Sequence, residues 1–193
     1  MFENKKRNSY LPDVKISLRQ RFYQPHMRVL DVFSGEGLLW DKAYQRTTNY
    51  LGIDVDDSLP THGRTIIHKD SLATLKELDL NQFDLIDIDA FADPWPEFNY
   101  VASTIQRPST TIFLTESLGR NVATSSSLAP FVSSKRDSAK GRGAFSHNRM
   151  GIYRRMLHTI VSDNGYHLED LYIIRKKTFA RVIYTGFNLV KGT

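Results

Sequence analysis

The 193-residue chain contains no cysteine. Disulfide scaffolds, zinc fingers, thiolate metal sites and cysteine nucleophiles are thereby excluded together. No apolar run approaches the roughly 20 residues that a membrane helix needs. The opening MFENKKRNSY lacks the apolar stretch of a secretion signal. A soluble cytoplasmic protein, away from membranes, is expected. The six histidines lack metal-ligand spacing, so no metal site is expected. Neither a G-x-S-x-G elbow nor a Walker loop occurs, and the chemistries they carry find no support.

What is present suits one domain. Hydrophobic residues make up 40% of the chain, enough for a single core at this length. Lysine and arginine outnumber acids by 26 to 21, but unevenly. Between Val29 and Tyr100 stand 14 acids and 5 bases, a local charge of −9 that leaves +14 elsewhere. An acidic middle between basic ends points to two surfaces, the basic one suited to a polyanion. Ordinary solvated faces would read the same way.

Short apolar runs alternate with helical patterns, the sign of a parallel sheet with crossover helices. Residues 14–23 (VKISLRQRFY) read as a helix leading in, within an N-terminal extension of residues 1–26. Strands are expected at 28–33 (RVLDVF), 50–54 (YLGID), 65–68 (TIIH), 83–88 (FDLIDI) and 110–115 (TTIFLT). Helices are expected at 38–46, 71–78, 94–106 and 149–162. Residues 119–148, rich in Ser, Gly, Ala and bases, read as a mobile basic insertion. Strands at 168–175 and 181–190, separated by a short connection, should close the chain as an antiparallel hairpin. The whole reads as a single α/β domain with helices on both faces of the sheet.

An open parallel sheet binds its ligand beyond the carboxyl ends of its strands. The first strand ends in Asp31-Val32-Phe33-Ser34-Gly35-Glu36-Gly37, where the glycines permit a tight turn and close backbone approach. The second ends at Asp54, a carboxylate able to accept both ribose hydroxyls of a nucleoside. Asp70 and Ser71 follow the third strand, where Asp70 can meet an adenine or simply cap the next helix. Asp87-Ile88-Asp89-Ala90-Phe91 follows the fourth. The two aspartates share a strand facing, so one of them, Asp87, reads as structural.

VLDVFSGEGLLW, YLGIDVD, IIHKDSL and FDLIDIDAF resemble successive motifs of the class I S-adenosylmethionine-dependent methyltransferases. The resemblance implies a Rossmann-like seven-stranded sheet, mostly parallel with an antiparallel C-terminal hairpin, and S-adenosyl-L-methionine as cofactor. It places Asp31, Phe33, Gly35 and Gly37 around the methionine part, Asp54 on the ribose, and Asp70 with Ser71 at the adenine. A nicotinamide dinucleotide fits less well: the third glycine of G-x-G-x-x-G falls at Trp40, and Glu36 and Asp41 would repel a pyrophosphate.

IDIDAFADP is similar to the D-P-F/Y-G-S-P stretch of tRNA guanine-N-methyltransferases. Asp89, Phe91 and Pro94 match, whereas Ala90, Ala92 and Asp93 replace Pro, Gly and Ser. An exocyclic amine is a poor nucleophile because its lone pair is delocalised into the ring. A carboxylate accepting its N–H bonds localises that pair while an aromatic face holds the base. Asp89 and Phe91 are therefore the candidate catalytic residues. Between Arg120 and Arg155 stand eight bases and one acid, with Phe131, Phe145, Tyr153 and Phe179 as aromatic company there or in the last hairpin. Basic and aromatic residues together suit a nucleic-acid platform, with Lys135, Arg136, Lys140, Arg142 and Arg149 meeting substrate, RNA before DNA. Two other readings stay open: a weakly catalytic nucleic-acid-binding subunit beside a protein partner, and a methyltransferase for small molecules or proteins.

Overall fold

The structure is a computed structural model that describes residues 12–90, 93–117, 141–175 and 182–192. In chain order the elements are α1 (Pro12–Phe22), β1 (Val29–Asp31), α2 (Leu38–Lys42), β2 (Tyr50–Asp54), β3 (Thr65–His68) and α3 (Ser71–Leu75). They continue as β4 (Leu85–Ile88), α4 (Trp95–Thr104), β5 (Ser109–Ser117), α5 (Gly141–Asp163), β6 (Tyr166–Arg175) and β7 (Val182–Lys191). The strands form one seven-stranded sheet in the order β3-β2-β1-β4-β5-β7-β6. Strands β1 to β5 pair in parallel, and β7 runs antiparallel to both β5 and β6. The expected Rossmann-like sheet with a closing hairpin is what forms.

Both faces of the sheet are covered, which is why β1 and β4 are apolar and buried at nearly every position. On one face α1, α2 and the turn that follows α2 bring Leu18, Leu39, Trp40 and Tyr44 against Val29, Leu85, Phe113 and Tyr184. Gly186 of β7 serves this face, because a Cβ there would lie 2.7 Å from the Phe113 ring. On the other face α3, α4 and α5 enclose the larger core around Leu30, Ile86, Ile112 and Phe187. Helix α5 buries two rows at helical spacing, Ile152–Met156–Ile160 and Tyr153–Leu157–Val161. Trp95 of α4 is fully buried with its ring 5.0 Å from that of Tyr153.

Several boundaries differ from expectation. Helix α2 stops at Lys42, not Arg46, because Gln45 and Arg46 take left-handed backbone angles (φ 51° and 55°). Helix α5 starts at Gly141, so residues 141–148 belong to a helix and not to the insertion. The rest of that insertion, residues 119–140, lies outside the described residues, as does the connection between β6 and β7, residues 176–181. Tyr153 is core, with its hydroxyl 2.5 Å from Thr185 Oγ1, and is not available as a stacking platform. Within the described residues, no helix is long and apolar enough to cross a membrane.

Candidate functional site

The glycine turn after β1 and the carboxylates at the ends of β1, β2 and β4 lie along the carboxyl edge of the sheet. Strands β1 and β4 are neighbours in register, with Asp31 opposite Asp87. Alternation then turns Asp31, Asp87 and Asp89 toward the face that α1 covers. Helix α1 answers with two cations one turn apart, Lys15 and Arg19.

Arg19 is fully buried and meets Asp87 through two parallel bonds, Nε to Oδ2 at 2.9 Å and Nη2 to Oδ1 at 2.8 Å. Its Nη2 also donates to Thr115 Oγ1 at 3.2 Å, and the Tyr44 hydroxyl donates to Asp87 Oδ2 at 2.5 Å. Burial works against the guanidinium charge, but Asp87 outweighs it and holds Arg19 above its ordinary pKa. Burial and then the charge of Asp87 push the Tyr44 phenol up as well. Asp87 is thus structural, as expected, although its partner is a buried arginine and not a helix end.

Asp89 is held from the same helix. Lys15 Nζ donates to Asp89 Oδ2, and Arg19 Nη2 lies 3.7 Å from Asp89 Oδ1. Asp31 is fully buried and accepts the Tyr50 hydroxyl at 2.8 Å. Burial, then Asp87 and Asp89, push its carboxyl up to about 8. Among the described residues five buried side-chain atoms lack a hydrogen-bond partner, and three cluster here: Asp31 Oδ1, Ser34 Oγ and Asp89 Oδ1.

The glycine turn completes the edge. Gly35 and Gly37 take positive φ (48° and 86°), an arrangement that glycine adopts without strain. The Gly35 N–H donates to Asp54 Oδ2 at 2.8 Å, and the Asp56 N–H donates to Asp54 Oδ1 at 3.0 Å. Two backbone donors therefore aim the Asp54 carboxylate, and each oxygen keeps a lone pair for a further donor. Among the described residues the large apolar side chains left open to solvent are Val55, next to Asp54 in the chain and 78% exposed, and Leu38, at the start of α2 and 38% exposed.

The other anticipated residues divide. Phe33 is half-buried against the larger core. Asp70 caps α3, its Oδ1 accepting the Ala73 N–H at 2.8 Å, so its carboxylate performs the capping role weighed for it. Ser71 donates to Glu97 Oε1 at 2.7 Å, and burial raises the Glu97 carboxyl pKa. Phe91, Lys135, Arg136 and Lys140 lie outside the described residues. Arg142 and Arg149 fall within the backbone of α5. Lys15, Arg19, Tyr44 and Arg64 were not anticipated. The spacing of Lys15 and Arg19 at i, i+4 on a predicted helix was the available signal, but nothing local says that the helix lies over β4.

No protein-family model and no curated protein sequence matches the chain. Solved structures do. The TYW2 protein of Pyrococcus horikoshii, in complex with MeSAdo, is similar over 92% of this chain and 61% of its own, with 15% identity and a TM-score of 0.56. The magnesium protoporphyrin IX methyltransferase of Synechocystis PCC 6803, with bound SAM, is similar over 93% of this chain and 77% of its own, at 14% identity and TM-score 0.52. A putative rRNA-methylase from Clostridium thermocellum is similar over 94% of this chain and 96% of its own, at 11% identity and TM-score 0.57. This chain accordingly spans less than two thirds of the TYW2 structure and nearly all of the rRNA-methylase. At these identities the likeness is one of fold.

Proposed function

We propose that this chain, whose fold is that of the class I methyltransferases, binds S-adenosylmethionine and methylates an exocyclic amine of an RNA base. The observation that carries the reading is the set of orphaned buried atoms, Asp31 Oδ1, Ser34 Oγ and Asp89 Oδ1, gathered at the ligand-binding edge of the sheet. Buried polar atoms without partners are costly and persist where a ligand satisfies them. Two of the three are carboxylate oxygens, acceptors suited to an ammonium or an amine and unsuited to a polyphosphate.

The residues present fit the cofactor. Asp54 is pre-aimed to accept ribose hydroxyls, with exposed Val55 and Leu38 offering apolar surface to an adenine ring. Asp31 offers its remaining oxygen to the cationic amino-acid end. When bound, S-adenosylmethionine supplies an electrophilic methyl group on a sulfonium. Methyl transfer then depends on positioning and on stabilising the charge that develops. Asp89 serves there by accepting an N–H of the acceptor amine on Oδ1 while Lys15 holds Oδ2, which localises the nitrogen lone pair. An RNA acceptor is favoured by the +14 charge carried outside residues 29–100. The basic residues Lys135, Arg136, Lys140, Arg142 and Arg149 are the proposed contacts.

A second reading is a cofactor-binding subunit with little transfer activity. The Lys15–Asp89 ion pair favours it, since an internal cation already engages the carboxylate that the acceptor would need. Labelled cofactor offered with total RNA, genomic DNA and protein separates the readings. Label incorporated into RNA is the expected result. Cofactor binding by calorimetry with label in no polymer supports the subunit, and absence of binding well above micromolar concentration overturns both.

A further inference from the structure

Arg64 stands just before β3, outside every recognised motif, yet it is only 5% exposed. Its guanidinium grips backbone carbonyls from two loops. Nε donates to Thr61 O at 3.0 Å and Nη2 to Pro60 O at 2.6 Å, both in the loop between β2 and β3. Nη1 donates to Ser34 O at 3.3 Å and to Gly35 O at 3.2 Å, and Nη2 reaches Gly35 O at 3.2 Å, all in the glycine turn. Contact with that turn is close: a Cβ on Gly37 would lie 2.6 Å from Arg64 Cζ.

A trans peptide is planar, and its C=O and N–H point to opposite sides. The Ser34 carbonyl faces Arg64, so the Gly35 N–H on the other edge of that peptide faces away. It donates to Asp54 Oδ2 at 2.8 Å. Held also by the Gly37 N–H at 3.1 Å, the Ser34 carbonyl cannot rotate without breaking bonds on both sides of the plane. The plane carries the orientation from guanidinium to carboxylate. A turn with two glycines has little stiffness of its own, so an external clamp has much to determine.

We infer that Arg64 is a positioning residue that aims Asp54 through the Ser34–Gly35 peptide plane and thereby sets the protein's preference for a ribose over a sugar without the two hydroxyls. This rests on the proposal that Asp54 receives the ribose hydroxyls. Lysine cannot replace it, because three donors on one point cannot span the carbonyls of Ser34, Gly35, Pro60 and Thr61.

The test is the affinity of S-adenosylhomocysteine and of its 2′,3′-dideoxyribose counterpart, measured by calorimetry for the wild type, Arg64→Gln, Arg64→Lys, Asp54→Ala and Arg64→Gln with Asp54→Ala. Both Arg64 variants should bind the ribose ligand roughly tenfold more weakly and the dideoxyribose ligand, which offers Asp54 no hydroxyl, nearly as the wild type does. In the Asp54→Ala background, Arg64→Gln should add nothing. Equal weakening of both ligands, or an undiminished effect of Arg64→Gln once Asp54 is gone, makes Arg64 a merely structural clamp and overturns the inference. Arg64→Lys keeps the charge and the stem, and carries the comparison if the glutamine variant folds poorly. A wild type that binds neither ligand overturns the cofactor reading itself, a result distinct from loss of ribose selectivity alone.

Discussion

Replacing Asp31 by asparagine should flatten the pH dependence of stability. Asp31 is fully buried; burial first, then the charges of Asp87 and Asp89, raise its carboxyl from 3.8 to about 8. Between those values the folded protein holds a proton that the unfolded chain has released. Stability therefore falls as pH rises through that window. The contribution is fully present below the unfolded value and is lost once pH passes the folded one. One such group gives a slope of about 1.4 kcal/mol per pH unit, or about 3 kcal/mol between pH 5 and pH 7. Asparagine keeps an oxygen for the Tyr50 hydroxyl, which donates to Asp31 at 2.8 Å, and cannot ionise. The neighbouring charged groups, Lys15, Arg19, Asp87 and Asp89, are common to both proteins and largely cancel in the comparison. Urea unfolding of ligand-free wild type and Asp31→Asn at pH 5, 6, 7 and 8 measures the difference in slope. Parallel profiles would refute the assignment of that proton to Asp31.

The same proton gives a binding signature. A cationic ligand beside Asp31 should drive its ionisation, so calorimetry of S-adenosylmethionine at pH 7 in buffers of different ionisation enthalpy should show proton release that Asp31→Asn abolishes. Arg19→Met leaves Asp87 buried without its cation and should cost about 3–5 kcal/mol in urea unfolding; a loss below 1 kcal/mol would mean that the Tyr44 and Thr115 hydroxyls account for the site. Asp89→Ala should abolish methyl transfer with cofactor affinity nearly intact, whereas joint loss of cofactor binding and stability would make Asp89 structural. Neutralising Lys135, Arg136, Lys140 and Arg142 together should weaken nucleic-acid binding and flatten its salt dependence without changing cofactor affinity. An unchanged salt slope would return these residues to an ordinary solvated surface.

Features that depend on neighbours in the chain could be read from the order of residues alone. Buried strands announce themselves as apolar runs, and the turn after β1 by its glycines, whose positive φ is a local requirement. The positions of Asp31 and Asp54 at strand ends, and of Asp89 one residue past β4, were legible because a strand's end and its facing follow from period and position. Even the cap at Asp70 is a local event. Tertiary structure alone decided which charges these carboxylates meet. Arg19 reaches Asp87 across 68 positions of sequence, Lys15 reaches Asp89 across 74, and Arg64 reaches the Ser34 carbonyl across 30. No periodicity encodes such pairings, since they depend on where a whole helix or loop settles over the sheet. Tyr153 shows the same division in reverse: an aromatic residue among bases reads as a surface, and only the packing of α5 against α4 and β7 puts it in the core. A side chain's type is written locally, but its electrostatic environment is a property of the packed whole, because burial strengthens every charge that lies near it.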